Sequence, residues 1–178
     1  MSKDIVFKLS VLEGGEEKYS TNLPYDDVSY LVSSLPEDAV SDVFLSLAAK
    51  HPSSLVREFV AHRDSLSPEV FELLAADKSI SVLRNLARTN AFMKNASQDF
   101  LEKMICLDVE IAQSIAEGVE LFEQVDVNML APLLAVHEDP SVAAKLAGNE
   151  NTPKNVLRTL VDHADPFVAS EAKATLGR

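Results

Sequence analysis

A short pattern returns along this chain: Val or Ile, three residues, then an apolar residue usually followed by Ala. It reads Val56-Arg-Glu-Phe-Val60-Ala61, Val82-Leu-Arg-Asn-Leu86-Ala87, Ile111-Ala-Gln-Ser-Ile115-Ala116 and Val142-Ala-Ala-Lys-Leu146-Ala147, with weaker copies at Val28–Val32 and Val168–Ala172. Successive starts lie 28, 26, 29, 31 and 26 residues apart. Self-similarity at that period marks small units that stack because none can bury its apolar face alone. It predicts stacked helices, which present a surface for binding more readily than a reaction pocket.

Each unit holds a second helix with its own apolar pair four apart, the spacing of one helical face. The pairs are Val43/Leu47, Val70/Leu74, Phe100/Met104, Leu130/Leu134 and Val156/Leu160, starting 27, 30, 30 and 26 residues apart. Three residues before five first-helix starts stand Ser53, Ser79, Asp108, Asp139 and Asp165. These are N-cap types, whose side-chain oxygens accept from orphaned backbone N–H groups. Asp139-Pro140 and Asp165-Pro166 add proline at the first helical position, and Ser67-Pro68 and Thr152-Pro153 open second helices in the same way. Capping explains the aspartates without a ladder of metal ligands.

Over Asp139–Leu160 the sequence resembles the leucine-rich repeat variant family, a relative of the HEAT-like helical repeats. The family pattern, Asp-Pro-x-x-Val-Arg-x-x-Leu-Ala-x-Asn-x-x-Thr-Pro-x-x-Val-Leu-x-x-Leu, is matched closely there, partly over Ser53–Ala76 and weakly over Ser79–His137. The resemblance implies an all-α fold, a short right-handed α-solenoid of about five two-helix repeats. Some members carry an iron–sulfur cluster on a cysteine-rich segment. With one cysteine in the chain, that feature is not carried over and no cofactor is expected. Repeats of this kind specify fold well and function poorly.

The N-terminal segment differs. Phe7, Leu9 and Val11 alternate with Lys8 and Ser10, a strand period, and Gly14-Gly15 suits a turn into a second short strand near Lys18–Thr21. Residues 1–22 are therefore read as a strand or hairpin cap and 23–178 as the repeat domain. The hairpin is expected to pack on the first helices, with a second copy or a partner as the other ways to cover it. At the far end, Val168–Leu176 reads as a first helix without a second, a solvated terminal cap.

Motifs for chemistry are absent. No glycine-rich phosphate loop, Gly-x-Ser-x-Gly elbow or His-Glu-x-x-His stands in the sequence. Cys106, in the apolar run Met104-Ile-Cys-Leu107, reads as a buried, inert thiol. Of the four histidines, three fall near second-helix C-termini, where an imidazolium favours the helix dipole. No catalytic or metal site is expected. The N-terminus lacks the apolar core of a signal peptide and no run approaches a membrane span, which makes a cytoplasmic protein the expectation.

Charge carries the functional hint. With 28 Asp and Glu against 16 Lys and Arg, the net charge of -12 repels phosphate backbones and anionic membranes, so neither nucleic acid nor membrane is an expected partner. From Met104 to Ala144 there is no Lys or Arg, while Asp108, Glu110, Glu117, Glu120, Glu123, Asp126, Glu138 and Asp139 fall in that window. The reading is a non-catalytic interaction module that binds a protein or peptide, of basic character, on one face. Candidate contacts are the second-helix positions Glu69, Glu72, Glu102, Lys154 and Arg158 with the acidic residues Glu117, Glu120, Glu123 and Asp126. Phe92, Met93 and Phe122, in long connections, are expected to tuck against the stack. Two other readings are an acidic inhibitor or immunity-type protein that occupies the cleft of a basic nucleic-acid enzyme, and an enzyme on a HEAT-like scaffold. The last is disfavoured because a DNA glycosylase of that type needs a basic, aromatic-lined channel, and this chain has no Trp.

Overall fold

The computed structural model describes residues 5–36 and 38–178. It is mostly helical, with one two-stranded antiparallel hairpin at the N-terminal end. The chain divides into two compact units, residues 1–91 and 92–178.

In the first unit, β1 (Lys8–Glu13) pairs with β2 (Glu16–Asn22) across Gly14 and Gly15, at φ 61° and 86°. Both glycines sit in the left-handed region that a two-residue hairpin turn of this hand requires. A bulge falls between Val11 and Leu12. The base of the hairpin is anchored: Leu23 N–H donates to the Phe7 carbonyl (2.8 Å), and the Phe7 ring lies 4.6 Å from Phe44 and 6.1 Å from His51. Above that anchor the strands are exposed, Leu9, Val11, Leu12 and Tyr19 included. The hairpin thus touches a second helix at its root and leaves its length uncovered.

The helices of this unit are α1 (Tyr25–Ser34), α2 (Ala39–Ala48), α3 (Ser54–Ala61), α4 (Pro68–Ala75) and α5 (Ile80–Leu86). They pack in alternation: α1 on α3 and α3 on α5 form one layer, and α2 on α4 the other. A short α6 (Asn90–Asn95) runs across the boundary at residue 91, and the second unit then holds α7 (Gln98–Leu107), α8 (Val109–Glu117), α9 (Val127–Ala135), α10 (Pro140–Gly148), α11 (Lys154–Leu160) and α12 (Pro166–Leu176). The alternation repeats here, with α8 on α10 on α12 and α7 on α9 on α11.

The recurring sequence pattern is the contact surface of the first-helix layer. Val56, Val60 and Ala61, Val82, Leu86 and Ala87, Ile111, Ile115 and Ala116, and Val142, Leu146 and Ala147 are each 1 % exposed or less. Alanine beside the apolar pair keeps the ridge low, so that neighbouring helices approach closely. The long connections also fold inward. Phe92 and Phe122 are buried with ring centroids 5.7 Å apart, while Met93 is half-buried against the Gly118 position.

The caps divide into two kinds. Asp108, Asp139 and Asp165 accept from backbone N–H groups of their helices, as do Asp38, Ser97 and Asp126. Ser53, Ser67 and Ser79 hold the N-cap position without a side-chain cap bond. Thr152 is not a cap: Pro153 precedes α11, and the buried Thr152 hydroxyl donates to the Leu146 carbonyl (2.7 Å). The terminal helix read as a solvated cap is not solvated throughout: Val168, Ala172 and Thr175 are buried on α12.

Three histidines, His51, His137 and His163, lie just past the C-termini of α2, α9 and α11, and each also closes a turn. His51 Nδ1 accepts from Ser53 N–H, His137 Nδ1 from Asp139 N–H and His163 Nδ1 from Asp165 N–H, at 3.0–3.1 Å. Asp77 Oδ1 does the same for Ser79 N–H and Asn149 Oδ1 for Asn151 N–H. In each case a side-chain acceptor closes the turn two residues on, as an Asx-turn does. With Nδ1 accepting, the His137 proton belongs on Nε2, which donates to the Ile105 carbonyl (3.2 Å).

In the first unit the turns are tied together by Arg57. Its Nε and Nη2 donate to Asp77 Oδ2 (2.6 Å) and Oδ1 (3.0 Å), and its Nη1 to the carbonyls of His51 and Pro52. The side chains are 17 % and 6 % exposed. Burial pushes the Asp77 carboxyl up, but the Arg57 guanidinium and the Ser79 and Lys78 N–H groups hold it below its ordinary range. A forked, largely desolvated pair of this kind is costly to break from one side. Asp77→Asn should lower stability by about 2–3 kcal/mol, with a double-mutant cycle against Arg57→Ala giving a coupling above about 1 kcal/mol in chemical denaturation.

The alanine constraint has its own test. Ala147→Leu should destabilise by about 2 kcal/mol through overpacking, whereas Ala174→Leu, on the exposed side of α12, should stay within about 0.5 kcal/mol.

The His51 turn predicts a pH dependence. Burial, and then the nearby Arg57 charge, depress the His51 pKa below the ordinary imidazole value. The folded state then binds this proton less readily than the unfolded chain. The contribution is present above the unfolded pKa of about 6.5 and is lost as pH falls through it toward the folded pKa. His51→Asn keeps an acceptor, as Asn149 does, but cannot titrate. Urea midpoints measured from neutral pH downward should fall less steeply for His51→Asn than for the parent protein.

Candidate functional site

Two concavities lie in the second unit, each on a different helix layer. The first, of about 720 Å³, runs along α10 and α12 with Glu117 of α8 at its edge. Most of its charges are already committed, Glu171 being the exception. Lys145 pairs with Glu117, and Asp139 and Asp165 cap their own helices. The Ser141 hydroxyl and N–H together hold the Asp139 carboxyl below its ordinary pKa.

The second, of about 680 Å³, opens between α7, the start of α8 and the end of α9. Local sequence explains it. On α7 the buried stripe is Leu101, Met104 and Ile105, which turns Glu102, Cys106 and Leu107 outward. On α9, Leu130, Ala131, Leu134 and Ala135 are buried, yet the other face carries Met129, Pro132 and Leu133, followed by Val136. No charged residue stands between Val127 and Val136. A helix apolar on all sides belongs in a core or beneath something else. Here the outer side is bare: Val136 is 80 % exposed, Met129 56 % and Leu107 51 %.

The cleft's apolar lining is the buried Ile105 with the exposed Leu107, Val109, Leu133 and Val136, and the exposed Glu102 and Glu138 make its rim acidic. Asp108 also lines it, but its carboxylate accepts from Glu110 and Ile111 N–H at the α8 cap. His137 fixes the geometry by joining the Ile105 carbonyl to the Asp139 N–H. Among the described residues no Lys or Arg lines the cleft. Exposed apolar surface gathered in a concavity is the form that marks binding sites on soluble proteins.

The residues singled out from sequence scatter. Glu69 and Glu72 are exposed on α4 in the first unit. Lys154 and Arg158 are exposed on α11. Glu117 and Glu120 meet at Asn149, whose amide donates to the Glu117 carbonyl oxygen and the Glu120 carboxylate; Asn151 also donates to Glu120. Glu123 is exposed, with its N–H donating to the Met93 carbonyl, and Asp126 caps α9. Of the nine, Glu102 alone lines the cleft, its carboxylate accepting from Gln98 Nε2. Glu138 joins it there. The apolar outer face of α9 was missed because the stripe periodicity accounts for only one side of the helix. Its signal was the uncharged run from Val127 to Val136.

Cys106 is a correction: the thiol is exposed and lines the cleft rather than lying buried. The apolar run around it straddles the end of α7, so that Met104 and Ile105 turn inward while Cys106 and Leu107 face out. Iodoacetamide should alkylate Cys106 in the native protein at a rate close to that of the unfolded chain, followed by intact-mass spectrometry. A buried thiol would react only on unfolding.

No helix among the described residues is long and apolar enough to cross a membrane. No protein-family profile matches the chain, and no curated protein and no solved structure matches it.

Proposed function

We propose that the protein is a non-catalytic interaction module of the helical-repeat kind, which binds a protein or peptide. The observation that carries this reading is the uncovered outer face of α9 and the cleft beside it, where Leu107, Leu133 and Val136 stand exposed together. Surface hydrophobes scattered singly need no explanation, but a concave cluster does. The alternation of two helix layers within each unit supports the repeat reading. So does the Asp139–Leu160 segment, where the Asp-Pro step caps α10. Membership of the leucine-rich repeat variant family is part of the same proposal, on those residues. A cytoplasmic setting suits the single exposed thiol.

The test is chemical cross-linking of the purified protein in native extract, read by mass spectrometry. A discrete partner should cross-link at α7–α9 and be lost with Leu133→Asp. A chain that yields no reproducible partner at any surface would overturn the reading.

A further inference from the structure

We propose that the α7–α9 cleft takes a short basic amphipathic segment of a partner protein, seating an apolar side chain against Leu107, Leu133 and Val136 while a Lys or Arg reaches Glu102 or Glu138. The proposal rests on the interaction reading above and specifies the chemistry of its partner.

Charge complementarity selects this occupant. The apolar lining asks for a hydrophobic anchor, because anchors that become desolvated on binding carry most of the binding energy of small interfaces. The rim supplies Glu102 and Glu138, and no Lys or Arg lines the cleft to neutralise them. Lys103, next to Glu102, lies outside the lining, and His137 has both ring nitrogens engaged, with Asp139 N–H and the Ile105 carbonyl. An acidic segment would meet like charge on entry; a purely apolar one would leave the rim carboxylates partly desolvated and unpaired. The α10–α12 groove differs in already holding a cation of its own, Lys145, which pairs with Glu117.

A volume of about 680 Å³ is the size that takes a drug-sized ligand or a few side chains rather than a whole folded surface. The occupant is therefore a short segment read through an anchor and a flanking cation.

Cys106 supplies a built-in reporter, since it is the sole cysteine and lies in the cleft. Three synthetic peptides are compared on the full chain: alternating Leu and Arg, alternating Leu and Glu, and alternating Ser and Arg. Binding is read by fluorescence anisotropy, and occupancy by the rate at which neutral iodoacetamide alkylates Cys106. The Leu/Arg peptide should bind, slow alkylation about tenfold at saturation, and weaken about tenfold with Glu102→Gln/Glu138→Gln or with raised salt. Val136→Ser, a highly exposed position with little call on folding, should weaken it as well. Circular dichroism on each variant confirms that the fold is kept.

Equal binding by the Ser/Arg or Leu/Glu peptide would overturn the proposal, as would Leu/Arg binding that leaves Cys106 unprotected. So would protection that rises with protein concentration alone, the mark of a second copy in the cleft. If the Leu/Arg peptide fails while a cross-linked partner maps elsewhere on the chain, this proposal falls and the interaction reading stands. If both experiments fail, both fall.

Discussion

The close approach of one first helix to the next is the constraint on which the rest of the structure depends. A stripe of Val, Ile or Leu supplies the apolar area, and the alanine at its end sets the distance. Ala61, Ala87, Ala116 and Ala147 are each at most 1 % exposed. A larger side chain there would push neighbours apart, and close-packed interiors respond to such strain along the whole contact. The second helices have looser demands. They need one buried stripe each, and what they carry on the other face is left to selection for something else.

Local polar chemistry does the work between helices. Each turn described here is closed by a side-chain acceptor that takes the N–H two residues on, whether the acceptor is an imidazole, a carboxylate or an amide. The shared requirement is a lone pair at the right height above the chain. Arg57 adds the cross-tie in the first unit, binding two backbone carbonyls and the Asp77 carboxylate at once. The apolar stripes stack the helices, and these turns fix where each helix begins.

Most of the architecture was legible in the residues, because both signals are local. The apolar pairs four apart predicted the helices, and the capping aspartates placed α8, α10 and α12 within a residue of where they start. Strand alternation and Gly14-Gly15 located the hairpin. The misreadings share a cause: they concern which way a side chain faces. Cys106 and Leu107 follow Ile105 in an unbroken apolar run, yet each step along a helix rotates the side chain by about 100°, which carries these two from the inward to the outward face. Thr152 has the sequence of a cap but turns back to Leu146. The turn-closing part of the three histidines was also not read, though His-x-Ser and His-x-Asp recur often enough to suggest it. The candidate cleft was hidden for a related reason. Reading charge alone drew attention to Glu117, Glu120 and Asp126, which are occupied with Lys145, Asn149 and the α9 cap, while the informative residues on α9 were uncharged.

The hairpin at the N-terminal end has a consequence for how the first unit opens. It is held at its root by the Phe7 ring and the Leu23 N–H, and along its length by one ladder between two solvent-washed strands. Nothing buried has to be exposed to unzip it from the Gly14-Gly15 tip. Its amides should therefore trade hydrogen for deuterium well before those of α3 and α5, and the order of exchange would run inward from the tip to Phe7. The last step disturbs α2 and the turn after it, because Phe44 and His51 lose the Phe7 ring when it departs. Among the described residues the hairpin is in that sense a latch, closed at its root by the Phe7 ring and the Leu23 N–H.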